Sequence, residues 1–114
     1  MSYNGWTNYE TWNLALWIGN EEGSSEYWND RARQILASTD EDDTPERRRE
    51  DAASQLSDEL ENETKEGAPE VGNGFFGDIL TAAIGEVNWY EIAEHWVADV
   101  ADEVFAEEKE NAAS

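Results

Sequence analysis

The chain has no cysteine, a single histidine, two prolines and only seven Lys+Arg among its 114 residues. Without cysteine there are no disulfides, no thiolate metal ligands and no thiol nucleophile. The scarcity of bases is set against 28 Asp+Glu, giving a formal net charge of -21 and an isoelectric point near 4.1. That balance argues against direct binding to DNA, RNA or an anionic membrane, since each contact would add like-charge repulsion; a basic partner suits it. No apolar run approaches a membrane span, and the opening MSYNGWTNYE has neither a basic nor an apolar leader region, so the expected location is cytoplasmic. What is present is aromatic: six Trp, four Tyr and three Phe, large side chains whose burial offsets the backbone entropy of one small domain.

The apolar spacing predicts helices throughout and no alternating strand, hence an all-α fold, a compact bundle of four to five helices over residues 1–114. Thr7 and Glu10 have the spacing of a capping box opening a first helix that stops near Gly19. Tyr9, Trp12, Leu14, Leu16, Trp17 and Ile18 surround that helix, so it is expected to be central and the most buried. A second helix starts at Ser24 or Ser25, carries Trp28, Ala32, Ile35 and Leu36 on one stripe, and ends before 38–40. Thr44 and Pro45 open a third, running to about 65 with a thin stripe of Ala53, Leu56 and Leu60 that predicts packing along one edge. Residues 66–74 form a loop. Phe75, Phe76, Ile79, Leu80, Ala83, Ile84 and Val87 then recur at helical spacing. Asn88 with Glu91 caps a last helix bearing Trp89, Ile92, Ala93, Trp96, Val97, Val100, Val104 and Phe105, with a tail frayed from about 107. Most of the aromatic rings are assigned to the core.

The charge is uneven. Residues 38–70 hold 13 acids against 4 bases and residues 86–114 hold 9 against 1. The candidate partner-binding residues are therefore Asp40, Asp42, Asp43, Glu50, Asp51, Asp58 and Glu61 in the first of these segments, and Glu91, Glu94, Asp99 and Asp102 in the second. Successive helical turns space such carboxylates by about 5 to 6 Å, while duplex DNA shows one charge per about 1.7 Å of axis. Two acidic helices and a linker thus admit a phosphate-like array facing a basic groove. The competing account is adaptation to concentrated salt, which the surplus of acids and the two Lys against five Arg also fit.

Other chemistry is set aside. Gly72, Gly74 and Gly77 match GxGxxG, but no strand precedes them and no βαβ unit follows, so a nucleotide site is not expected and the glycines read as a turn that lets Phe75 and Phe76 approach the core. Asp40, Asp42, Thr44 and Asp51 share the spacing of a calcium loop, but Pro45 stands where that loop needs glycine. Glu91, His95 and Asp99 lie one turn apart, yet one His in an open acidic face reads as solvated, not as a metal ligand. Ser24, Ser25, Ser54 and Ser57 have no apparent base. Neither a cofactor nor catalysis is expected.

The segment TNYETWN at 7–13, followed by LALWI and NEEG, is similar to an N-terminal signature of small acidic phage, plasmid and haloarchaeal mobile-element proteins. The resemblance covers about residues 7–28. It implies a mobile-element setting, in which some small acidic proteins are anti-restriction or anti-CRISPR DNA mimics. The expectation is a non-catalytic DNA-mimic inhibitor occupying the nucleic-acid groove of a basic host defence protein. The alternative is a halophile-adapted accessory protein that meets its partner through an aromatic patch.

Overall fold

A computed structural model describes residues 3–113. The chain is all-α, with five helices in the order α1 (Tyr9–Asn20), α2 (Glu22–Ala37), α3 (Pro45–Glu66), α4 (Phe75–Glu86) and α5 (Trp89–Ala113). α2, α3 and α5 lie side by side as a rod, and α1 and α4 pack at the end where α5 begins, within an envelope of 60 × 28 × 24 Å. α3 runs antiparallel to α2, because Tyr27 and Arg31 of α2 meet Glu63 and Glu59 of α3. It is also antiparallel to α5, since Arg48 near its start binds Glu108 near the end of α5.

Capping residues set most of the boundaries. Thr44 Oγ1 accepts from Arg47 N at 3.2 Å with Pro45 at the first helical position, and Asn88 Oδ1 accepts from Glu91 N at 3.1 Å. At α1 the cap is Asn8, not Thr7: Asn8 Oδ1 accepts from Thr11 N at 2.9 Å, while Thr7 N donates to Glu91 Oε1 at 3.0 Å and so ties α1 to α5. Gly19 does not end α1. A single extended residue, Glu21, closes α1 and opens α2, which therefore begins ahead of Ser24 and Ser25. Before α1, Asn4 and Gly5 both take positive φ in a tight turn that pairs Tyr3 with Trp6, the conformation that Asn-Gly accepts most readily.

The core is the interior of the rod: Trp28, Ala32, Ile35 and Leu36 from α2, Ala52, Ala53, Leu56 and Leu60 from α3, and Trp89, Ile92, Ala93, Val97, Val100, Ala101 and Val104 from α5, joined by Ile18. Three expectations are overturned here. α1 is not the buried helix, because it lies at one end with packing on one side only; Thr11 and Ile18 are buried, while Tyr9, Leu16 and Trp17 are exposed. α3 is not peripheral, since Ala52 beside Ala53 widens its thin stripe and lets it lie against both α2 and α5. Nor do the rings fill the core: among the described residues Trp28 and Trp89 are buried, while Trp6, Trp96 and Phe105 pack against it partly buried. α5 keeps its helical form to Ala113, past the point where fraying was expected, with Glu108 held by Arg48.

One arginine closes each seam of the rod. Arg31 clasps Glu59 across α2 and α3 through Nε (2.9 Å) and Nη2 (2.8 Å), Arg33 joins α2 to Glu103 of α5, and Arg48 joins α3 to Glu108 of α5 at 2.7 and 2.8 Å. Arg48 is the buried one. Its Nε donates to Thr39 Oγ1 (2.8 Å), its Nη2 to Leu36 O (3.3 Å), and its guanidinium lies 4.9 Å from the centre of the Phe105 ring.

Removing one partner of a buried, hydrogen-bonded pair typically costs about 3 to 5 kcal/mol. Arg48→Ala is accordingly expected to lower the unfolding free energy by about 3 kcal/mol or more in urea titrations. Arg48 holds the Glu108 carboxyl below its ordinary value. The stability this gives is complete above the unfolded value of about 4.3 and disappears as pH falls through the lowered native value. The gap between the native chain and Glu108→Gln should therefore close on acidification; a gap independent of pH would show that this ion pair does not contribute.

Candidate interaction surface

Two surfaces remain after packing, one acidic and one apolar. On α3 the residues that face the bundle are Arg48, Ala52, Ala53, Leu56 and Leu60, which turns Glu50, Asp51, Asp58 and Glu61 to the opposite side. On α5 the buried set from Trp89 to Val104 likewise turns Glu94, Asp99 and Asp102 outward. Asp51, Asp58, Asp99 and Asp102 have no hydrogen bond or ion pair among the described residues. Meanwhile Arg31, Arg33, Arg47, Arg48 and Lys65 are each paired with a carboxylate of the chain itself.

The eleven candidate acids differ in their surroundings. Glu50 and Glu94 come together, lining with Glu46, Arg49, Tyr90 and Val97 a groove of about 180 Å³ between α3 and α5. Burial, reinforced by the charges of Glu94 and Glu50, pushes the Tyr90 phenol above its ordinary value. Others serve the fold. Asp40 Oδ1 accepts from Asp42 N at 2.9 Å, Asp43 Oδ1 accepts from Thr44 N at 2.9 Å, Glu61 pairs with Lys65, and Glu91 receives the Thr7 amide. His95, beside Glu91, stacks on Trp6 with ring centres 4.2 Å apart. Among the described residues no three His, Asp or Glu side chains are grouped as metal ligands.

The apolar surface is the part that sequence reasoning missed. Trp17 is 69% exposed, Phe75 71%, Phe76 73% and Ile79 53%, and α4 buries no residue fully. The expectation that glycines draw Phe75 and Phe76 toward the core is therefore wrong. The close approach belongs to backbone instead: a Cβ on Gly77 would lie 2.2 Å from Gly72 O, and Gly72 and Gly74 take positive φ.

Between α1 and α4 lies a groove of about 310 Å³, floored by Leu14, Leu80, Ile84 and Trp89 and edged by Tyr9 and Trp17. Glu10 also lines it, and its Oε2 is buried with no hydrogen-bond partner among the described residues. The groove is rigidly framed at one end. Thr11, fully buried, donates its hydroxyl to Asn8 Oδ1 (2.6 Å) and accepts from Asn88 N (2.8 Å), while Asn8 Nδ2 donates to Glu86 O (2.6 Å). Thr7, Asn8 and Thr11 of TNYETWN thus lock α1 onto the α4–α5 junction.

Residues 1–111 match a family of unknown function, DUF7249, and the chain belongs to that family. No curated protein and no solved structure matches it. No helix of the described residues is long and apolar enough to cross a membrane.

Side chains this exposed are not holding the fold. Trp17→Ala and the double change Phe75→Ala with Phe76→Ala are each expected to shift unfolding free energy by less than about 0.5 kcal/mol, whereas Leu56→Ala should cost about 2 to 5 kcal/mol. A large loss in urea unfolding from the exposed set would mean that these rings pack into the domain.

Proposed function

We propose, from within a family that carries no assigned activity, that this chain works by binding and not by catalysis, as an acidic mimic of DNA that takes the nucleic-acid groove of a basic partner. The observation that supports this reading is the division of charge. Five of the basic side chains are paired inside the molecule, while Asp51, Asp58, Asp99 and Asp102 stand outward without counter-charge. Carboxylates so placed cost little to bring against a cationic groove, because no internal ion pair has to be broken. Association of this kind is steered by charge and weakens steeply with salt. A cytoplasmic, mobile-element setting belongs to the same proposal.

A second reading has its own observation. The exposure of Trp17, Phe75, Phe76 and Ile79 exceeds what a monomer's scattered apolar residues need, and contiguous apolar patches mark interaction sites. On that reading the acidity serves hydration in brine and the partner is met through the aromatic end.

The test is displacement of labelled duplex DNA from the basic protein that the chain retains from a host lysate. Changing Glu91, Glu94, Asp99 and Asp102 together to Gln or Asn should abolish displacement and leave the helical circular dichroism intact, since Gln at 91 can still accept the Thr7 amide. Asp102→Asn alone should cost less than about 1 kcal/mol, as exposed single charges do. Undiminished displacement by the fourfold variant would remove α5 from the mimicking surface.

A further inference from the structure

We infer that the groove between α1 and α4 is a docking cleft for a basic amphipathic helix of a partner protein. The inference rests on the second reading above, that the aromatic end is an interface, and it adds the chemistry of the occupant. Three observations point the same way. The groove is mainly apolar, with Leu80 and Ile84 one turn apart, and Phe76 continues that stripe one turn earlier into solvent. A small ligand would fill the groove against Trp17 and leave Phe76 bare, whereas a helix laid along α4 covers both.

Charge then selects the occupant. Glu10 is the one charged residue lining this groove, beside the neutral polar Asn13 and Thr64, and its Oε2 has no hydrogen-bond partner among the described residues. Its place in the first turn of α1 sets it near the positive end of the helix dipole, which moderates its charge but supplies no hydrogen bond. A Lys or Arg of the occupant placed beside Glu10 would pair with its carboxylate through a charge-assisted contact. A second copy of this chain is a poor occupant, because each copy brings a net charge of -21 and would seal Glu10 without a cation.

The occupant is sized by α1, whose 12 residues span about 18 Å: about three helical turns, with large apolar residues at i and i+4 and a base beside them. Insertion of such a helix should move Trp17 out of water and shift its fluorescence to the blue.

The probe is a 14-residue amphipathic peptide of Leu and Lys (about three to four turns), read by tryptophan fluorescence and calorimetry. It should bind one to one. Leu80→Asn and Glu10→Gln should each weaken it by about tenfold or more, a range typical of central interface positions. Neutralising Asp99 and Asp102 should leave its affinity within about twofold, since exposed single charges contribute little. A scrambled peptide of the same composition should bind far more weakly. Equal binding of the scrambled peptide, or of the native peptide to Leu80→Asn, would reduce the effect to bulk charge attraction and overturn the cleft. Equal binding of a Leu/Gln peptide would keep the aromatic interface and overturn its basic occupant. Dimerisation of the free chain that Leu80→Asn abolishes would assign the groove to a second copy and overturn the proposal. Absence of binding by any peptide would overturn it as well.

Discussion

Mutual repulsion among carboxylates is the constraint on which this structure turns. A chain with 28 acids and seven bases has to bring three long helices into contact, and each contact gathers negative charge. Burial of Leu, Ile, Val and Trp side chains supplies the attraction, but it is not directional. The arginines supply direction. Arg31, Arg33 and Arg48 cross the α2–α3, α2–α5 and α3–α5 seams respectively, so each pair of neighbours is pinned in register by one guanidinium. Planar, always charged and forked, arginine suits this better than lysine, and of these three Arg48 is the one drawn into the interior, where it also satisfies the last turn of α2.

From that arrangement the surface divides in two. The sides of the rod retain acids with no internal partner, whereas the end built from α1 and α4 is nearly uncharged: α1 carries only Glu10, and α4 only Asp78 and Glu86. A partner approaching the rod meets a field of one sign, and a partner approaching the end meets rings and one sequestered carboxylate. The two regions call for different chemistry, and a basic protein with an amphipathic segment can engage both.

Much of the fold was readable because it is written in local chemistry. Thr44–Pro45 and Asn88–Glu91 are caps that act within one turn, and the stripes of α2 and α5 repeat often enough to identify a buried face. The failures are of another kind. Which of the five apolar helices lies inside depends on how they are arranged, and α1 and α4, apolar nearly all round, were indistinguishable by pattern from interior helices. The role of Thr11, fully buried between Asn8 and Asn88, needs contacts 77 residues apart in the chain. Among the acidic candidates, Glu50, Asp51, Asp58, Glu94, Asp99 and Asp102 are exposed on α3 and α5; that Glu61 meets Lys65 is local, whereas Glu50 lining a groove with Glu94 is tertiary and has no signal in the spacing.

If the unpaired carboxylates are held for a partner, as proposed, they make no contribution to folding. The direct measurement is the unfolding free energy of the native chain beside a variant with Glu50, Asp51, Asp58, Glu94, Asp99 and Asp102 neutralised, compared at about 0.1 M and about 1 M KCl, where the Debye length falls from about 10 Å to about 3 Å. The variant should be the more stable at low salt, through relief of repulsion, and the two should converge at high salt. A native chain that overtakes the variant as salt rises would contradict it, since the carboxylates would then be stabilising the protein in brine.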